Sequence, residues 1–369
     1  ELHMEWSTYG GIVAVSNSVR KFAGKKVYHD TDPVIDKWLE MNHFRCVVVL
    51  LIDALGTSVL EKHCNANGFF LKNRAKKTMT VFPPTTSAAT TSLRTGKTPA
   101  ENGWLGWNQY FQEIDANIIL FMNKDQYTGE SYPGFVEKAL PVTFLEEEMP
   151  LNSCTIWPSW GKSYPSTTYS EMWQNIVDVS KNTDMHYIYA YYDALDTFMH
   201  IHGPSAPATG KEVLKLEKIT EEYSRQLPED VGVIVLADHS QIDVHGQAME
   251  EHPELVECFS KKPALEPRTI AFYIREEKKE YFFHRFLEVY GDSFDLYTPE
   301  EVVKKSFFGQ GVPHDRMKEF LGDFLAVARS DISLMFGMPD KVNFVQGDHA
   351  GGTEAEADIS VILLKNANK

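Results

Sequence analysis

The stretch RCVVVLLIDALG, Arg45–Gly56, decides how the rest of the chain is read. The run VVVLLI inside it is apolar without alternation, which suits a strand covered on both faces rather than one with a wet side. Such a strand belongs in the middle of a parallel sheet. It ends on an acid, Asp53, and TSVLEKHC follows with the texture of a helix. The same design returns twice, in MHYIYAYYD (Met185–Asp193) and in VGVIVLAD (Val231–Asp238), each an apolar run closed by Asp. KKTMTVF (Lys76–Phe82) reads as a further strand, and GKEVLKLEKITEEYSRQL (Gly210–Leu227) as a charged amphipathic helix. Strands alternating with helices predict an α/β fold: a doubly wound, mostly parallel sheet with helices on both faces. Ligands of such sheets bind outside the carboxyl ends of the strands, which is where the three Asp residues would gather.

The texture changes from about Leu255 to Phe336. Strand-like pieces (RTIAFYI, DFLAVA, ISLMF) alternate there with charged helical ones (EEKKEYFFHRFLEVY, PEEVVKKSFF). The expected organisation is a main α/β core over 1–254, a small α+β insertion or cap over 255–340, and a return to the core over 341–369. The returning segment, VQGDHAGGTEAEADISVILLK, is a glycine-rich loop followed by a last strand.

Composition narrows the partners. With 36 Lys and Arg against 52 Asp and Glu, the formal charge is −16. A diffuse negative surface argues against a nucleic-acid polymer, whose binding relies on clustered cations. A small phosphorylated substrate is still accommodated if a metal or a helix N-terminus supplies local positive charge. No apolar run is long enough to span a membrane. The four cysteines, Cys46, Cys64, Cys154 and Cys258, lack metal-type spacing and read as reduced thiols. The three residues before Met4 resemble a vector remnant, and a start at Met4 implies a cytoplasmic protein.

At the strand ends, Asp53, Asp238 and His239 join DALDTFMH, where Asp196 and His200 stand four apart and share a helix face. Asp193 lacks that spacing. His349 lies in the glycine-rich loop. Any one of these residues has an ordinary explanation, since a strand-end Asp commonly caps the next helix. Six Asp and His ligands on one sheet edge exceed what capping requires, and they suit zinc or a similar borderline cation. The same edge receives FPPTTSAATTSLRTG (Phe82–Gly96), whose helix is expected to start around Ser87 and stop near Gly96. A hydroxyl at that turn, with the helix N-terminus behind it and a metal in front, is a candidate nucleophile. Most of these threonines are expected to be caps or packing.

Taken in order, LLIDALG, FPPTTSAATTSLRTG, DTFMHIHGP, LADHS and GDHAGGTEAE resemble the signature segments of the type I phosphodiesterase/nucleotide pyrophosphatase family of the alkaline phosphatase superfamily. The likeness runs from about Phe44 to the C-terminus. GGIVAVSNSVRKFAG (Gly10–Gly24) is similar to the opening of bacterial members of that superfamily. The resemblance implies a two-zinc hydrolase of phosphate esters. Thr86 matches the nucleophile and a metal ligand, with Thr85 as its competitor. Asp53, Asp238 and His239 would complete the Thr86 metal site, and Asp196, His200 and His349 would hold the second metal. It further implies a covalent phospho-threonine intermediate. The expected activity is that of a phosphodiesterase or nucleotide pyrophosphatase, with a phosphomonoesterase, a phosphonate hydrolase or a silent metal-binding sensor as alternatives. Three departures weaken a nucleotide as substrate: Ala89 and Trp107 replace asparagines of the pattern, with Asn108 one step away, and His202 replaces an aromatic residue. His245 and His314 read as surface or loop histidines. Trp104, Trp107, Tyr110 and Phe111 are either core or a wall for a base or headgroup.

Overall fold

A computed structural model describes residues 6–366. Met4 and the residues before it lie outside the described range. All seven residues of the strand Cys46–Ile52 are buried. It is flanked on both sides by parallel partners, Tyr187–Tyr192 and Val231–Leu236. Burying a Val, Leu or Ile side chain contributes about 1.5–3 kcal/mol, and a strand with two covered faces gains this at every position. Ser153–Ile156 extends the sheet in parallel beyond Tyr187–Tyr192. On the other side, Asp358–Lys365 runs antiparallel between Val231–Leu236 and the edge strand Arg74–Met79. This sheet of six strands, parallel apart from the returning one, is the expected α/β core.

Register places the strand-end acids together. Leu51 pairs with Leu236, so two residues further on Asp53 stands beside Asp238. Helix Thr86–Thr95 begins at this edge, with Thr85 as its N-cap, one residue before the start expected from sequence. It ends on Gly96, in the left-handed conformation at φ 76°. A side chain there would also meet Arg20 Cδ at 2.6 Å. Helix Gly11–Phe22 is tied to its flank: Ser16 Oγ donates to Leu93 O at 2.6 Å and Asn17 Nδ2 to Gly96 O at 2.9 Å.

A second sheet packs beside the first. Four of its strands, Phe259–Leu265, Thr269–Ile274, Phe294–Tyr297 and Phe324–Ala328, lie in the segment expected to form the α+β insertion. The remaining three, Asn108–Phe111, Ala116–Ile119 and Lys124–Asp125, lie just after the threonine-rich helix. They join through Leu265 opposite Asn108. The insertion therefore builds on residues 108–125 rather than standing apart from them, and its strand Phe259–Leu265 delivers its C-terminal end to the site. No helix among the described residues is long and apolar enough to cross a membrane.

Candidate metal centre and active site

Two groups of ligand-type side chains meet at the carboxyl edge of the main sheet. Asp53, Asp238 and His239 form one, and Asp196, His200 and His349 the other; in each group the ligand atoms lie within 4.8 Å of one another. His239 Nε2 is 3.1 Å from Asp53 Oδ1 and 3.5 Å from Asp238 Oδ2. His200 Nε2 is 3.2 Å from Asp196 Oδ2, and His349 Nε2 is 3.6 Å from Asp196 Oδ1. His239 Nε2 also stands 4.0 Å from Asp196 Oδ1, which links the groups.

The imidazoles are oriented alike. His239 Nδ1 faces Ser240 O at 2.7 Å, His200 Nδ1 faces Gly347 O at 2.8 Å, and His349 Nδ1 faces Pro84 O at 2.9 Å. A carbonyl can only accept, so each Nδ1 carries a proton and Nε2 is turned to the cluster, the arrangement of metal-ligating histidines. The carboxylates are held as well. Asp238 Oδ1 accepts from the amides of Ala54 (3.0 Å) and His239 (2.9 Å), Asp196 Oδ1 accepts from Gln241 Nε2 at 2.7 Å, and Asp53 Oδ2 accepts from the Tyr191 hydroxyl. Asp238 Oδ2 is buried with no hydrogen-bond partner. Such an orphan is costly unless a cation occupies the space before it.

Charge tells the same story. Burial, then the neighbouring Asp238 and Asp196, push the Asp53 carboxyl well above its ordinary range. Burial opposes charge on His239, but Asp238, Asp53 and Asp196 outweigh it and lift the imidazole to about 10. His200 is lifted to about 10 in the same way by Asp196 and Asp348. His349 goes the other way, far below its usual value, through burial and the charge on His239, whose ring stacks on it at 3.6 Å. Without a cation the cluster thus retains protons to limit repulsion among its carboxylates. Divalent cations fit this donor set and would take the place of those protons.

Thr86 faces the first group. Its Oγ1 lies 3.3 and 3.4 Å from the Asp53 carboxylate oxygens and 3.2 Å from His239 Nε2. Thr85 points elsewhere, donating to Glu266 Oε1. The remaining hydroxyls of the segment are structural: Thr90 bonds Thr86 O and Thr95 bonds Thr91 O, each at 2.7 Å, while Thr98 caps the short helix Pro99–Asn102.

The glycine-rich loop holding His349 is anchored from below. Arg268 and Glu356, both fully buried, pair at 2.5 Å, and Glu356 also accepts from Gly351 N at 2.9 Å and Thr353 Oγ1 at 2.6 Å. A side chain on Gly351 would meet Arg268 Nη2 at 2.8 Å, so glycine is what lets the loop close onto the ion pair.

Sequence reasoning missed Glu266, Gln241 and Tyr191. Glu266 is buried and accepts from Trp107 N at 2.9 Å as well as from Thr85. Burial, with Asp348 adding to it against the Thr85 hydrogen bond, pushes its carboxyl up to about 8. ALEPRT shows only an acid before a proline, and nothing local connects it to a residue 181 positions away. Of the four aromatic residues after the helix, Trp104, Tyr110 and Phe111 are core, whereas Trp107 lines the site. His202 is exposed and rests on Phe198, and His245 is exposed too.

Two cavities open from the cluster, of about 410 and 530 Å³, and both are lined by Thr86, Trp107, Asp196 and Thr197. The smaller runs past Glu266 toward Gln126, Lys341 and Phe344, and the larger runs past Asp53 toward Trp157, Trp160 and Tyr191.

The model of the type I phosphodiesterase / nucleotide pyrophosphatase family matches residues 47–351. The chain belongs to that family. Its members are phosphoric ester hydrolases of the alkaline phosphatase superfamily, and this chain is such a hydrolase. Among solved structures, murine ectonucleotide pyrophosphatase / phosphodiesterase 5 superposes with a TM-score of 0.67 at 16% identity, over 87% of this chain and 88% of that one. An inactive threonine-to-alanine form of the murine protein, in complex with AMP, gives 0.66 at 15% over the same shares. Phosphonoacetate hydrolase from Sinorhizobium meliloti 1021, in complex with phosphonoformate, gives 0.64 at 13%, over 87% and 90%. At these identities the likeness is one of fold. A sequence comparison with curated proteins gives no match.

Proposed function

We propose that the protein is a phosphodiesterase in which Thr86 is the nucleophile and two divalent cations, zinc by the character of the donors, are held by Asp53, Asp238, His239 and Thr86 and by Asp196, His200 and His349. The observation that carries the reading is the position of Thr86 Oγ1, within 3.4 Å of Asp53 and His239 and at the junction of two cavities. A diester has two arms and a monoester one, so a nucleophile between two cavities favours the diester.

When bound, the cations would supply positive charge that lowers the pKa of the Thr86 hydroxyl and offsets charge on the phosphoryl oxygens. The chain does the rest. Thr86 Oγ attacks phosphorus, the bond to one ester oxygen breaks, and that arm departs as an alcohol from one cavity. The resulting phospho-threonine is then hydrolysed: water oxygen bonds phosphorus, the Thr86 oxygen is released and regains its proton. The first-turn amides of helix Thr86–Thr95, which no carbonyl of that helix can satisfy, support the charge developing on phosphorus-bound oxygens. Tyr191 and Gln241 fix the carboxylates of Asp53 and Asp196. Glu266, whose carboxyl burial pushes up to about 8 when no cation is bound, lines the smaller cavity and holds the Thr85 hydroxyl and the Trp107 amide.

The test is turnover of bis-(p-nitrophenyl) phosphate beside p-nitrophenyl phosphate, with zinc and with chelator. The expected result is preference for the diester, lost on chelation. Preference for the monoester would move the protein to the phosphatase branch, and full turnover by Thr86→Ala would sink the nucleophile assignment.

A further inference from the structure

The larger cavity has a phosphoryl end, formed by Asp53, Thr86 and Asp196, and an aromatic end from which the hydrolytic chemistry takes only the Tyr191 hydroxyl. Trp157, Trp160 and Tyr191 make a corner there. Their ring centroids are 5.6 Å (Trp157–Trp160), 5.7 Å (Trp157–Tyr191) and 6.3 Å (Trp160–Tyr191) apart. The planes cross at 46°, 64° and 69°. Trp107 and Phe121, 6.0 Å apart and tilted at 54°, line the same cavity. Asp193 joins the box, its Oδ2 accepting from Trp160 Nε1 at 2.7 Å, which leaves the other oxygen available. Trp160 is 62% exposed and Phe121 42%, an unusual amount of aromatic surface to leave in water beside a reactive centre.

The walls select among occupants. A flat base wants two parallel faces with an edge partner for each polar atom; these faces cross steeply and the box offers one carboxylate. A primary ammonium wants three acceptors and finds the same shortage. A quaternary ammonium is nearly spherical, has no N–H to satisfy, and is attracted by ring faces within about 6 Å. Asp193 adds the counter-charge. Among the described lining residues the basic one is Arg94, which pairs with Glu146 and lies 3.6 Å from the Phe144 ring centroid and 5.2 Å from that of Trp157, so it takes up part of Trp157 while Trp160 and Tyr191 carry no cation of the described residues.

We infer that Trp157, Trp160, Tyr191 and Asp193 form a box for a quaternary ammonium, and that the enzyme's substrates are phosphate esters with one arm ending in that group. This rests on the hydrolytic reading above, with the larger cavity holding the ammonium arm.

The test pairs kinetics with binding on zinc-loaded protein. The kcat/KM for p-nitrophenyl phosphorylcholine is expected to exceed that for p-nitrophenyl methyl phosphate by about tenfold, the order that cation–π contacts with several partly exposed rings supply together. Trp160→Ala and Asp193→Asn should each reduce that ratio. A ratio near one, or a higher kcat/KM for the p-nitrophenyl ester of thymidine 5′-phosphate, would overturn the inference. Binding is read separately, by titrating choline chloride against tryptophan fluorescence with sodium chloride as the ionic-strength control. Saturable quenching that Asp193→Asn weakens supports the box even if neither ester turns over, in which case the hydrolytic reading alone fails. Quenching identical to that by sodium chloride would overturn the box itself.

Discussion

Replacing Glu266 with Gln gives a stability change whose sign and size follow from the structure. Gln keeps the shape and an oxygen able to accept from Thr85 Oγ1 and Trp107 N, and it removes only the titration. In the folded protein burial raises the Glu266 carboxyl from 4.5 to about 8. Below about 4.5 both folded and unfolded chains hold the proton and no penalty arises. Between 4.5 and 8 the unfolded chain releases the proton and the folded chain retains it, so stability falls as pH rises. Each unit corresponds to about 1.4 kcal/mol, so wild type should lose about 3 kcal/mol relative to Glu266→Gln between pH 5 and 7, and the gap should level off above pH 8. Urea denaturation of both proteins, held metal-free with chelator at each pH, reads the difference directly. Parallel stability curves from pH 5 to 8 would refute the assignment of a proton to buried Glu266.

Other outcomes follow from the same geometry. Thr86→Ala should lower turnover by at least about 10³-fold while zinc content, measured by atomic absorption, stays close to wild type. Asp238→Asn removes a charge and places an amide where the orphaned Oδ2 sits, and should cost about one bound zinc per chain by the same measurement. Because His239 and His200 hold protons up to about 10 without metal, zinc loading near pH 7 should release protons to the medium, and the apparent affinity should rise with pH between 6 and 9; a pH-indicator titration checks both. Arg268→Met leaves Glu356 buried and unpaired and should cost about 3–5 kcal/mol in urea denaturation, with the double change Arg268→Met, Glu356→Leu costing less.

How much of this was legible in the chain follows from the range of each interaction. The central strand could be read because every residue from Cys46 to Ile52 is buried and nothing polar interrupts the run. The acids at strand ends could be placed together because a parallel sheet puts all carboxyl ends on one edge. The edge strand Arg74–Met79 was blurred toward Phe82 because its side chains are only partly covered and the following segment is apolar for another reason, being buried beneath the Thr86 turn. The pairing of residues 108–125 with the insertion was not legible. A single register contact, Leu265 against Asn108, joins segments some 150 residues apart, and short strands of that kind carry no local mark of their partner. Glu266 arrives at the site through that same junction and shares its invisibility.

The backbone around the site explains why conserving residue type alone would not reproduce it. Ala54 follows Asp53 at φ 68°, Leu265 precedes Glu266 at φ 76°, and Ala350 follows His349 at φ 79°. None is glycine, and for residues with a Cβ this left-handed region costs roughly 1 kcal/mol or more. Each lies next to a side chain of the cluster or its cavity and comes from a different part of the fold: the central strand, the second sheet and the returning loop. Each is also over-determined by neighbours. The Ala54 amide is bonded to Asp238, Leu265 pairs with Asn108, and Ala350 O accepts from Thr269 Oγ1. A turn of this hand bends the chain sharply at the sheet edge, directly after Asp53 and His349 and directly before Glu266, so that each of these residues stays at the edge. Three such turns aim a carboxylate, a carboxyl and an imidazole at one small volume, at an energetic cost that the surrounding core of both sheets offsets. The acids and histidines supply the chemistry, while these small and apolar neighbours set where it happens.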